Sequence, residues 1–298
     1  MKDFKFSTLE YKRPDCEKMA AYATETKERI ENASSYAEVK EAILAYDEWE
    51  KDFSTDTTIA TIRHTLDTTD EFYEKEIEYI DTTFPTIMPQ LLAVDEALMN
   101  SPFRAELEKE YGKQFFAKKE LEKKTFCEAN IPLMQQEAKL CNEYEKMMAT
   151  AEIPFDGKTL NLYGVQKYFE HEDREVRKAA VRAYAAFYHK NELRLEEIWD
   201  TLIQIRNEMG RNLGYENYIP VGYMKQGRTD YGQKEVESFR EQVCTVIVPI
   251  CQKLYEAQAK RLGVNDFSFY DEKRILDYIL ELLEKRGILG YASDRKDV

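Results

Sequence analysis

The sequence predicts an all-α, multi-helical protein whose two helical parts are separated by a small β-hairpin near residues 152–162. Three observations predict it. Gly (11) and Pro (8) are scarce among 298 residues, which disfavours turn-rich all-β folds. The first glycine is Gly112, and only Gly157 and Gly164 follow before Gly210. Apolar residues recur at helical spacing along most of the chain, and strand-and-turn patterning stands out in one place only. Hydrophobic residues make up 43%, enough to build a core. At roughly 100–200 residues per domain, the length suits one large domain or two, and the hairpin divides the chain into 1–150 and 151–298.

In chain order, Ser35-Tyr36-Ala37-Glu38 reads as a capping box, hydroxyl and carboxylate meeting free donors at a helix start. Behind it Val39, Ile43, Tyr46, Glu50 and Phe53 form one stripe. Pro85 and Pro89 are expected to break or kink the helix carrying Ile77 and Ile80. Ser101-Pro102 is a second start signal. The charged stretch from Gln114 to Ala149 predicts one long helix disturbed at Pro132. The hairpin follows, with an Asp156-Gly157 turn between short runs. Beyond it Val176, Ala179, Ala180, Ala183 and Phe187 share a helix face, as do Ile198, Leu202, Ile205 and Met209. Phe239, Val243, Val246, Ile250, Leu254 and Ala257 continue the theme, with a kink expected at Pro249. Leu276, Ile279, Leu280 and Leu283 suggest a further short helix.

With 43 Lys and Arg against 57 Asp and Glu, the formal charge is −14. Nucleic acid and anionic membrane are therefore excluded as partners of the whole surface, because such binding needs clustered cations. The N-terminus lacks the apolar segment of a signal peptide, and the longest apolar runs fall far short of the ~20 residues a membrane helix needs. Five widely spread cysteines (16, 127, 141, 244, 251) suit reduced thiols in a soluble cytoplasmic protein. Core packing is the expected role of Cys244 and Cys251.

The chain has three histidines. His171-Glu172-Asp173-Arg174-Glu175 approaches the HExxH pattern, in which two imidazoles on one helix face grip zinc while the Glu activates water. Glu175 stands where the second His belongs, so the acidic residues read better as the opening of a helix, where they suit its dipole. His189 is 18 residues further on and His64 is isolated. No Cys pair has the spacing of a zinc knuckle. Gly222-Tyr223-Met224-Lys225-Gln226-Gly227-Arg228-Thr229 resembles a phosphate-binding loop with Arg228 replacing the required Lys, but no buried strand precedes it. No catalytic, metal or cofactor residue is assigned. The segment from Gly210 to Gly232 holds five Gly and the tyrosines Tyr215, Tyr218, Tyr223 and Tyr231. Two roles fit: a connector with tyrosines packed beneath it, or a peptide-contacting surface.

The same segment carries a family resemblance. Arg211-Asn212-Leu213-Gly214-Tyr215-Glu216-Asn217-Tyr218, Val221-Gly222-Tyr223, Gly227-Arg228-Thr229-Asp230-Tyr231, and Glu235-Val236 with Phe239-Arg240 are similar to oligoendopeptidase F, of the thimet-oligopeptidase-like zinc metallopeptidases. Asp173-Arg174-Glu175-Val176-Arg177-Lys178-Ala179 and Lys260-Arg261-Leu262-Gly263 before Phe269-Tyr270-Asp271 support it. The resemblance runs from about Arg63 to Glu272, and residues 273–298 depart from it.

The resemblance implies a nearly all-helical, two-lobed body around a channel that admits short peptides. It also implies zinc held by HExxH and a downstream Glu in the second half of a chain almost twice this length. No position here matches those elements. The expectation is the N-terminal half of such a peptidase, truncated before HExxH and inactive on its own. The alternatives are a non-catalytic helical peptide- or partner-binding protein and one half of a split peptidase. Expected partners are short peptides, a second copy through an exposed apolar face, or a chain carrying the missing half.

Overall fold

The structure, a computed structural model, describes residues 5–263. The helix expected around Leu276, Ile279, Leu280 and Leu283 lies outside the described residues. The regular structure of the described residues is helical apart from one two-stranded sheet. The chain forms two compact units, Met1–Gln233 and Lys234–Val298, and the helices on both sides of the hairpin belong to the first.

The first unit opens with α1 (Cys16–Glu31), α2 (Tyr36–Leu66) and α3 (Glu71–Asn100). Asp15 caps α1, its carboxylate accepting from Lys18 N at 2.9 Å. Ser35 caps α2 as expected, but the capping box closes one residue early: Glu38 accepts from Ser34 N at 2.7 Å. Val39, Ile43, Tyr46 and Phe53 are buried, and Glu50 is turned to solvent. With Met19, Ala23 and Ile30 of α1 and Val94 and Leu98 of α3 they form the main core. Short helices α4 (Arg104–Tyr111) and α5 (Lys113–Lys124) add Leu107 and Phe116 to it.

The proline-based expectations have different outcomes. Helix α3 runs unbroken through Pro85 and Pro89. Pro85 is itself buried, so packing holds the helix that local geometry alone would interrupt. Ser101-Pro102 leads into a helix as expected: α4 starts two residues later at Arg104, and Ser101 Oγ accepts from Phe103 N at 3.2 Å. Pro132 does not disturb a helix but stands in the first turn of one, α6 (Ile131–Ala149), where its missing donor costs nothing. The chain from 125 to 130 separates α5 from α6.

The hairpin forms as predicted. Strands β1 (Ile153–Phe155) and β2 (Lys158–Leu160) pair antiparallel, Ile153 opposite Leu160 and Phe155 opposite Lys158. Both turn residues take positive φ, Asp156 at 52° and Gly157 at 68°, matching the twist of the strands. The hairpin packs with α7 (Leu162–Gln166) on α8 (Arg174–Asn212), burying Ile153, Leu162, Val165 and Ala180. The two apolar stripes predicted for 176–187 and 198–209 belong to this single helix of 39 residues, about 58 Å long.

Helix α6 has no fully buried residue and is held by charge on both sides. Glu137 accepts from Arg206 at 2.7 Å and Glu143 from Arg194 at 2.5 Å, both on α8. Lys146 donates to Glu74 of α3 at 2.6 Å. After α8 comes α9 (Ile219–Lys225).

In the second unit, α10 (Gln233–Gln242) passes through a π-helical turn, Val243–Ile247, into α11 (Val248–Leu262). The irregularity expected at Pro249 lies ahead of it, because Pro249 again occupies a first turn. Phe239, Val246, Ile250 and Leu254 are exposed. Cys244 is exposed rather than packed in a core, since its turn buries no residue.

Candidate functional site

The tyrosine-bearing segment starts where α8 ends. The chain can double back there because position 210 lacks a side chain: a Cβ on Gly210 would stand 2.6 Å from Asn217 O. Gly214, at φ +86°, turns the chain out of the helix. Asn207 Oδ1 accepts from Tyr218 N at 3.2 Å and fixes the return. Behind the turn, buried Asn130 donates through Nδ2 to Met209 O at 3.1 Å and accepts from Asn212 Nδ2 at 2.9 Å. On the far side, Gln114 of α5 donates to Thr229 at 2.7 Å.

On this frame the four tyrosines fall into three separate settings. Tyr215 is half-buried, with its hydroxyl 3.9 Å from Met224 Sδ. Tyr218 is half-buried, with Lys225 Nζ 5.8 Å from its ring centre. Tyr223 and Tyr231 are joined by Arg228, whose guanidinium carbon is 4.7 Å from one ring and 5.3 Å from the other. Tyr231 is the exposed member. Arg228, read in the sequence only as a substitute for a phosphate-loop lysine, is thus the residue that organises the outer pair. The sequence signal was present as an arginine between two nearby tyrosines. Gly222 lies inside α9, so this loop lacks the strand–loop–helix order that cradles phosphate.

The whole arrangement can be placed against known proteins. Over 91% of its length the chain overlays a crystal structure described as an oligoendopeptidase F, with 39% identity and a TM-score of 0.87. The chain is related to oligoendopeptidase F. It covers 48% of that structure's chain, so it spans about half the length of the solved relatives it matches. A structure of PZ peptidase A with an inhibitor matches at 39% identity and TM-score 0.86, covering 90% of this chain and 48% of its own. An oligoendopeptidase F structure from Bacillus anthracis strain Ames matches at 36% identity and TM-score 0.86, over 91% of this chain and 50% of the other. Residues 6–126 match the family described as Peptidase M3 N-terminal domain. Comparison with curated proteins gives no match.

The donor set of this oligoendopeptidase F relative does not fit the zinc that the family implies. His171 precedes α8, and its Nδ1 accepts from Asp173 N at 3.1 Å. Asp173 caps the helix through Glu175 N at 2.8 Å, so His171 and Glu175 do not share a helix face. His189 pairs with Glu192 at 2.9 Å. His64 is buried on α2. Among the described residues, no three His, Cys, Asp or Glu side chains form a metal-holding group, and no helix is long and apolar enough to cross a membrane.

Proposed function

We propose that these residues form one wall of the peptide-holding channel of an oligoendopeptidase F-type zinc peptidase, and that they do not cleave peptides by themselves. The observation that carries this reading is the 39% identity over 91% of the chain, against 48% of the relative. The absence of any HExxH within the 298 residues supports it, because hydrolysis needs paired imidazoles and a carboxylate base around an open metal position. Tyr215, Tyr218, Tyr223 and Tyr231 are the proposed peptide contacts: flat, amphipathic rings suited to extended backbone. Five free cysteines fit the cytoplasmic setting that belongs to this reading.

The test uses the purified chain with added zinc and quenched-fluorescence peptides of five to ten residues. The expected result is no chelator-sensitive cleavage, with weak peptide binding that Tyr218→Ala and Tyr223→Ala each reduce about tenfold. Stoichiometric zinc together with chelator-sensitive cleavage refutes the inactive assignment. Peptide binding unchanged in both variants refutes the tyrosine contacts.

A second reading is favoured by the exposed Phe239, Val246, Ile250 and Leu254: a separate chain carrying HExxH completes the enzyme. Peptidase activity that appears only on mixing the two chains distinguishes it from a non-catalytic peptide-binding protein.

A further inference from the structure

A cleft of about 620 Å³ opens between α2, α3 and α6. That is the size of a small-ligand site. Here α6 meets α3 through polar pairs, Gln135 with Thr82 O, Asn142 with Asp81 and Lys146 with Glu74. Among the charged residues of the cleft, carboxylates outnumber cations: Glu74, Glu78, Asp81 and Glu143 against Lys139 and Lys146. Two of the four are already matched, Glu74 to Lys146 and Glu143 to Arg194. Asp81 receives only an amide, Asn142 Nδ2 at 2.7 Å, and among the described residues neither Asp81 nor Glu78 has a Lys or Arg in ion-pair contact. Burial pushes the Asp81 carboxyl above its ordinary value, and the Asn142 hydrogen bond and nearby His64 offset only part of that. A second, independent feature points the same way. His64 is 7% exposed, lines the cleft and makes no hydrogen bond among the described residues. Its imidazole thus borders the cleft with hydrogen-bonding capacity that the described residues leave unused.

The geometry points to a binding site for a primary ammonium group, seated against Asp81 and Glu78 with His64 beside it. An ammonium supplies the missing positive charge to a desolvated carboxylate. The site involves none of the loop tyrosines and stands whether or not that loop holds peptide. Two sources share this chemistry: a free small amine, and the amino terminus of a short peptide.

The three histidines make the test direct, since the ring signals of exposed His171 and His189 serve as internal controls for His64. The full chain is titrated with n-butylammonium, trialanine amide, its N-acetyl form and butyrate, while the imidazole resonances are followed by NMR. The expected result is a saturable shift confined to His64 with butylammonium, with trialanine amide, or with both. N-acetyl trialanine amide and butyrate leave it in place. The ligand that saturates at the lower concentration identifies the source. Asp81→Asn is expected to weaken binding at least tenfold with the helical circular dichroism unchanged, and Glu78→Gln supplies the same test if that variant does not fold. No saturable shift with either amine overturns the site, as does an equal response to butyrate or unaltered affinity in the folded variant.

Discussion

Arg13, just ahead of the first helix, holds Glu76 in the middle of α3: its Nε donates to Oε2 at 2.9 Å, and its NH2 group closes the second arm of the fork. Tyr11 adds its hydroxyl to the same carboxylate at 2.6 Å. Glu76 is 2% exposed, whereas the Arg13 side chain stays largely in solvent. The interaction therefore pins the N-terminal segment to α3 without burying a full ion pair. Arg13 first, opposed by burial and aided by Tyr11, holds the Glu76 carboxyl below its ordinary value. Such a group stabilises the fold above its unfolded pKa of about 4.3 and loses that contribution as pH falls through the folded value. Buried Asp81 and Asp95 shift the opposite way, so the readout is the difference between variant and parent. Glu76→Gln is expected to cost about 2 kcal/mol at pH 7 and less at pH 3.5. Urea unfolding at both pH values measures it, and an equal loss at both excludes the ionised carboxylate as the cause.

Gly210 and Gly222 lie twelve residues apart yet predict opposite outcomes. A methyl at 210 would meet Asn217 O at 2.6 Å and its carbonyl carbon at 2.7 Å, both backbone atoms with nowhere to move. A methyl at 222 would find only the Tyr218 ring, 3.9 Å away. Gly210→Ala is expected to destabilise by about 2–3 kcal/mol and to change the tyrosine near-ultraviolet dichroism. Gly222→Ala, inside α9, is expected to be neutral or to stabilise by up to about 1 kcal/mol. Similar melting temperatures for the two variants would show that the crossing at 210 is not tight.

These two glycines also mark what the sequence could and could not tell. Local signals were readable wherever a residue acts on its own backbone. Ser35 caps α2, the Asp156-Gly157 turn closes the hairpin, and Val39, Ile43, Tyr46 and Phe53 face the core because their spacing matches one helix face. Pro85 and Pro132 were harder to read, because the effect of a proline depends on its surroundings. Pro85 sits within α3, where it is buried against the rest of the fold. Pro132 opens a helix because the chain before it turns around Asn130. The candidate site behaved likewise. The cluster of tyrosines was visible as composition, but Arg228 as the link between Tyr223 and Tyr231, and His64 beside Asp81, arise from folding.

Asn130 is the clearest case of a buried polar residue joining distant segments. It is 2% exposed and binds both Met209 O and Asn212, so it fixes the start of α6 to the end of α8. Asn130→Leu leaves the Met209 carbonyl and the Asn212 amide without this partner. The expected cost is about 2–3 kcal/mol, with faster hydrogen exchange over residues 209–218. Asn130→Asp tests the direction of the bond: the carboxylate still accepts from Asn212 but no longer donates to Met209 O. It is expected to lose less than the leucine variant near pH 4 and as much or more at pH 8. Identical stability of all three proteins would assign Asn130 no anchoring role.

The second unit carries the prediction with the largest effect on handling of the protein. Helices α10 and α11, with the π turn between them, have no buried side chain among their described residues. Phe239 is 65% and Leu254 63% exposed, and Val246, Ile247, Val248, Ile250 and Tyr255 are exposed with them. An apolar surface of this kind gains about 25 cal/mol for each Å² removed from water, and contiguous patches of it mark contact sites or aggregation. The purified chain is expected to self-associate in the micromolar range. Phe239→Glu and Leu254→Glu, which replace apolar surface with charge where no packing is disturbed, are expected to shift association to at least tenfold higher concentration without lowering the melting temperature. Sedimentation velocity across a hundredfold concentration range reads the outcome. A single monomeric species for the parent chain throughout that range would mean that this surface does not drive association. Loss of stability in the glutamate variants would mean that these side chains are packed rather than exposed.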